Sequence, residues 1–188
     1  MRITGSARVA VMLFGLIACV LATCTDTSWR EFRVPGADFA VSLPEKPKLA
    51  ESTTAKDGSV SRTYHLDQGT FVYVVAYVTS PPKSNKAAPL DEWLDGVRDE
   101  LVARMEATLR GERRLSVGGA RGMELVLDVP ESDDGDGYTI RGRFYVKHAG
   151  TGKDLKDILY QTLVAADPSD EEDASVARFL DSFHFVQG

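Results

Sequence analysis

Hydrophobic residues recur along this chain with two periods. Phe39, Val41 and Leu43 alternate with Ala40 and Ser42 up to Pro44, the period of a half-buried strand. Glu45 to Gly58 is polar, with Pro47 and Gly58, and is expected to be a loop. Alternation resumes at Val60, Arg62, Tyr64 and Leu66, and Asp67-Gln68-Gly69 predicts a turn. Thr70 to Thr79 is apolar on both faces: Phe71, Tyr73, Val75 and Tyr77 on one, Val72, Val74, Ala76 and Val78 on the other. Such a run predicts a mid-sheet strand covered on both sides.

Ser80 to Pro89 contains three prolines and reads as a loop. The period then changes. Leu90, Trp93, Leu94, Val97, Leu101, Met105 and Leu109 form one helical stripe, which predicts a helix from Leu90 to about Arg110 with Gly111 as terminator. Arg114 to Val117 leads to Gly118-Gly119, and period two returns from about Arg121 to Val129 and from Tyr138 to Lys147. Pairing the last two strands apolar to apolar sets Leu127 opposite Ile140 and Glu124 opposite Arg143. Arg141, Arg143 and Lys147 thereby gain a structural role. His148 to Asp157 is expected as a polar loop and Ile158 to Ala166 as a strand. A last helix opens at Asp167-Pro168-Ser169 and presents Val176, Phe179, Leu180 and Phe183, with Phe185 in a strand-like tail.

The first two dozen residues follow neither period. Arg2 and Arg8 precede an uncharged run from Val9 to Ala22, too short to span a bilayer and of signal-peptide length. Leu21-Ala22-Thr23-Cys24 resembles a lipoprotein box, although threonine is unusual before the cysteine. The expectation is a signal peptide over 1–23, a lipidated Cys24 on a tether over 24–28, and one domain over 29–188. Acyl chains on Cys24 would hold that domain at a membrane of the periplasm or cell envelope, each buried methylene contributing about 0.8 kcal/mol.

Charge and chemistry narrow the functions. Loss of residues 1–23 takes the formal net charge from −6 to −8, and an acidic domain without a basic stripe disfavours nucleic-acid binding. Cys19 and Cys24 are the only cysteines, so none lies in the domain body. His65, His148 and His184 lack metal-ligand spacing and are expected to be solvated. Ser132, Asp134 and Asp136 imitate the start of an EF-hand loop, but Arg143 stands where its glutamate belongs. No phosphate-loop, GxSxG or HExxH motif is present. The expectation is therefore a protein without cofactor or metal site and without catalytic residues, acting as an accessory or binding module with an unidentified protein partner. The competing expectations are an exported hydrolase whose site is assembled from distant residues, and a soluble small-ligand carrier using the Phe71, Tyr73 and Tyr77 face.

Phe39-Ala40-Val41-Ser42-Leu43-Pro44, the single helix after the doubly apolar strand, and Arg178-Phe179-Leu180-Asp181-Ser182-Phe183 together resemble PsbP-like proteins, over about Trp29 to Val186. The resemblance implies an α+β fold, an antiparallel sheet flanked by helices in an α/β/α sandwich, and a non-enzymatic binding or assembly role. It carries over no functional residue.

The anchoring expectation is tested by Cys24→Ala, which should release the protein from the membrane fraction. Mass spectrometry of the wild-type N-terminus should find acylated Cys24; an unmodified mature terminus would sink the expectation.

Overall fold

The computed structural model describes residues 29–80, 89–131, 136–151 and 154–186, and Cys24 lies outside them. Among these described residues, ten strands and two helices follow in the order β1 (Arg30–Arg33), β2 (Phe39–Leu43), β3 (Lys48–Thr54), β4 (Val60–Asp67), β5 (Phe71–Thr79), α1 (Leu90–Arg104), β6 (Thr108–Val117), β7 (Ala120–Val129), β8 (Tyr138–Ala149), β9 (Lys156–Ala166), α2 (Ala174–Asp181) and β10 (His184–Phe185). Seven strands form one sheet in the order β3-β4-β5-β9-β8-β7-β6, and every pairing is antiparallel. A small sheet, β1-β2-β10, lies apart from it. The fold is thus α+β and mostly antiparallel sheet.

Local chemistry explains the hairpins. Gly118 and Gly119 both have positive φ, 55° and 81°, as a two-residue turn between β6 and β7 requires. A Cβ on Gly118 would also come within 2.6 Å of the Phe185 ring. Between β4 and β5, the Asp67 carboxylate accepts the Gly69 N–H at 2.8 Å. The β7–β8 register has Leu127 opposite Ile140 and Glu124 opposite Arg143, as apolar matching predicts. The chain crosses from β5 to the far edge at β6 and returns through consecutive hairpins, so that β9 lies between β5 and β8 and the two halves of the sheet meet along it.

The two faces are covered differently. On one, α2 and the small sheet close an aromatic core. Tyr145 stacks on Phe183 with centroids 4.3 Å apart, Phe39 meets Tyr160 edge-on at 5.2 Å, and Tyr73 meets Phe179 at 5.1 Å. Tyr64, Val75, Tyr77 and Val164 complete that layer. On the other face α1 packs on β7 and β8, burying Leu94 and Leu101 against Met123, Leu125, Leu127, Ile140 and Phe144. The layering on the first face is thus half β, because three strands share it with α2.

Several expectations need correction. The polar segment after Pro47 contains β3, an exposed edge strand whose side chains carry no apolar alternation. Helix α1 ends at Arg104, before Leu109 and Gly111, because Thr108 to Val117 is taken up as the edge partner of β7. The chain reverses at Glu106, in the left-handed region at φ 50°, a conformation that usually selects glycine. Strands β8 and β9 extend into the expected loop as far as Ala149 and Lys156. Helix α2 starts at Ala174 rather than near Ser169. Its cap is Asp173, which accepts the Ser175 N–H, while Asp167 spends its carboxylate on the Ser169 N–H and hydroxyl. Strand β5 has only one fully covered face.

The core assignment predicts that Leu94→Ala, at a side chain with 0% exposure, costs about 2–5 kcal/mol of unfolding free energy. Asp91→Ala, on the exposed side of the same helix, should leave the denaturant midpoint nearly unchanged.

A candidate binding trough on the open half of the sheet

Strand β5 places Val72, Val74, Ala76 and Val78 on the α1 side of the sheet, and β9 places Leu159, Gln161, Leu163 and Ala165 beside them. The helix that shares this side contacts β7 and β8. It does not extend over β5, so Val72, Val74, Val78, Leu163 and Ala165 remain half-buried rather than enclosed. The result is a trough with a cavity volume of about 370 Å³. Its floor is Val74, Ala76, Val78, Ile140, Leu163 and Ala165; one wall is Leu101, Arg104 and Met105 of α1; the other is Ser61 and Thr63 of β4. Gln161 is the polar group of the floor. A cavity of this size, apolar with a few placed polar groups, is at the lower end of the range for small-molecule sites.

The expected ligand face is the opposite one, and it is occupied. Tyr73 and Tyr77 are buried beneath α2 and the small sheet. Burial, with the charge of Asp173 behind it, pushes the Tyr73 hydroxyl up to about 12. These tyrosines are core residues in their neutral form.

Three polar clusters flank the core. The largest centres on Glu124, whose side chain is 8% exposed. Its carboxylate accepts Arg143 at 2.6 Å, Arg113 at 3.0 Å and Arg141 at 3.1 Å. Arg143 continues to the Leu180 carbonyl at 2.9 Å and the Asp181 carboxylate at 2.6 Å, tying β7 and β8 to the end of α2. Burial pushes the Glu124 carboxyl up, but the bonds from Arg143 and Arg141 outweigh it and hold its pKa below the ordinary range. The cluster is a clamp between sheet and helix, which the cross-strand reading of Glu124 and Arg143 foreshadowed without the helix.

A second cluster pins the β1–β2 hairpin. Asp38 accepts Lys147 and, at 2.7 Å, the Tyr160 hydroxyl, while Lys147 also lies 4.1 Å from the Phe185 ring centroid. Asp157, buried, holds His148 Nδ1 at 2.7 Å in the third. Ser80 Oγ accepts the Asp157 N–H at 2.9 Å, and the Ser80 N–H donates to the Asp157 carbonyl at 2.8 Å. Ser80 and Asp157 thus form the next rung after Thr79 and Ile158 in the β5–β9 ladder.

The three histidines are not brought together. His65 is half-buried on β4, opposite Val74 on the trough side. His184 is largely exposed near Glu31. His148 is exposed, as expected, and its Nδ1 also meets the Asp157 carboxylate. Among the described residues no group of three metal-binding side chains occurs. No helix among them is long and apolar enough to cross a membrane.

No family model matches the chain, and no curated protein matches it. Among solved structures it is similar to that of PA94, a protein of unknown function from Pseudomonas aeruginosa. The identity is 13% over 79% of this chain and 90% of the other, with a TM-score of 0.44. At that distance the likeness transfers neither fold nor function.

The clamp predicts that Glu124→Gln, which removes the buried carboxylate from Arg141 and Arg143 and leaves Arg143 only the exposed Asp181, costs about 3 kcal/mol, the low end for a broken buried pair. A carboxyl with a depressed folded pKa contributes stability that is complete above its ordinary value of 4.5 and is lost as pH falls through the folded value. The gap in unfolding free energy between wild type and Glu124→Gln should therefore be full at neutral pH and shrink on acidification below that value. A gap that widens in acid would contradict the assignment.

Proposed function

We propose that this chain is an exported, envelope-anchored binding protein of PsbP-like sandwich architecture, and that the trough over β5 and β9 is where it binds. The observation that carries the reading is that strand β5, apolar on both faces, has one face left half-open. Ordinary folding economy would cover such a face with a helix or place polar residues on it. Here Val72, Val74, Val78, Leu163 and Ala165 are kept apolar and accessible, beside a helix that stops short. An apolar, concave, only partly hydrated surface is the usual form of a small-molecule site. Export and lipidation of Cys24 rest on the sequence of residues 1–24 and supply the compartment of the proposal.

The hydrolase reading has one supporting feature, the His148–Asp157 pair, in which a buried carboxylate orients an imidazole. The hydroxyl of Ser80 beside that pair accepts the Asp157 N–H, and the pair lies outside the residues lining the trough. The binding reading is therefore preferred.

Its test is a neutral apolar dye. Nile red should bind the purified protein saturably with about one equivalent. Ala165→Trp, which fills the trough floor at a half-buried position, should abolish that binding while leaving the thermal midpoint within a few degrees. Undiminished dye binding by a folded Ala165→Trp variant would place the site elsewhere and defeat the proposal.

A further inference from the structure

The trough is not electrostatically symmetric. Past Tyr138 and Ala165 it runs into a second depression of about 400 Å³, bounded by Gly69, Val72 and Asp167. That depression shares Tyr138, Thr70, Gly69 and Asp167 with a neighbouring one of about 510 Å³. Among the described residues bordering this last depression are Asp136, Asp167 and Asp170, and none is basic. The apolar floor of β5 and β9 therefore leads to an acidic lip at the β9–α2 connection. One further feature holds negative charge there. Bonds from the Ser169 N–H and hydroxyl lower the Asp167 pKa, so that it stays ionised in the neutral range. Arg104, the basic residue among those lining the trough, belongs to the α1 wall and not to the lip, and pairs with Glu100 at 3.8 Å.

From this we infer that the ligand of the trough is a cationic amphiphile. Its single hydrocarbon chain lies over Val74, Ala76, Leu163 and Ala165, and its ammonium-type head sits against Asp167 and Asp170. The inference rests on the trough being the binding site, and it adds the chemical class and the orientation. A chain buried on the floor gains the same hydrophobic stabilisation per methylene whatever its head. The head therefore decides among amphiphiles of equal chain length. An anionic head at the lip would meet three carboxylates, and a cationic head would be attracted by them at a separation too short for physiological salt to screen fully. No covalent step is involved.

The experiment compares dodecyltrimethylammonium, dodecyl maltoside and dodecyl sulfate, each below its critical micelle concentration, by calorimetric titration of the purified protein. Dodecyltrimethylammonium should bind about tenfold or more tighter than dodecyl sulfate, with the neutral maltoside between them. The double substitution Asp167→Asn, Asp170→Asn keeps an acceptor for Ser169 and should remove most of that advantage without weakening the maltoside. Glu92→Gln, an exposed charge on α1, should leave the advantage intact and so separates a local lip from the general acidity of the protein. Equal binding of all three probes, abolished by Ala165→Trp, would overturn the head-group inference and leave the trough as the site. An advantage erased as fully by Glu92→Gln would overturn it too. Failure of all three probes to bind would overturn both readings.

Discussion

The pairing of β9 with both β5 and β8 is the constraint on which the structure depends. Nine consecutive rungs join Phe71–Thr79 to Ile158–Ala166, and eleven join β8 to β9. Strands β5 and β9 are far apart in sequence, so closing the sheet between them costs substantial chain entropy before the contacts form. Apolar residues on both sides of β5 and β9 offset that cost. On one side Tyr73, Val75, Tyr160 and Val164 enter the aromatic core with Phe39, Phe179 and Phe183. On the other side the same two strands supply the trough floor. The strands that must be apolar to hold the sheet together are thus the strands whose second face is available for binding.

What leaves that face open is the length and position of α1. At fifteen residues it covers β7 and β8. Its ion pairs fix it over that half: Asp95 with Arg114, Arg98 with Glu112 at 3.0 Å, and Asp91 with Arg121 at 3.5 Å. These are partly exposed pairs, individually worth little. They nevertheless set the lateral position of a helix whose buried residues, Leu94 and Leu101, are few. The opposite layer is held by more costly means, the Glu124 clamp and the Asp38 pin. The asymmetry follows from chemistry on each side: a fully sealed aromatic face stabilises the fold, and a partly covered aliphatic face remains accessible.

Much of this was legible in the residues. The β7–β8 register followed from matching Leu127 with Ile140, because a slip of one position would have turned a charged face into the core. The apolar stripe of α2 was equally plain. Other features were not, for physical reasons. Lys48 to Thr54 forms an edge strand exposed along its length, so no burial pattern marks it. Leu109 continues the helical stripe of α1 by period, yet β7 requires an edge partner and tertiary pairing takes Thr108 to Val117. The double apolar run of β5 announced two faces to be covered but could not say that the covering helix would stop short. The trough was therefore visible only as hydrophobicity, and the tyrosines that suggested a ligand face on the other side are buried in the core.

The central claim is that binding occurs on the α1 side of β5 and β9 and leaves the aromatic side untouched. Methyl-resolved NMR of valine and leucine, during titration with dodecyltrimethylammonium, tests it most directly. The account predicts shift changes at Val74, Val78, Leu101 and Leu163, with Val41, Val75, Val164 and Val176 unmoved. Changes concentrated in the second group, or spread evenly through both, would contradict it.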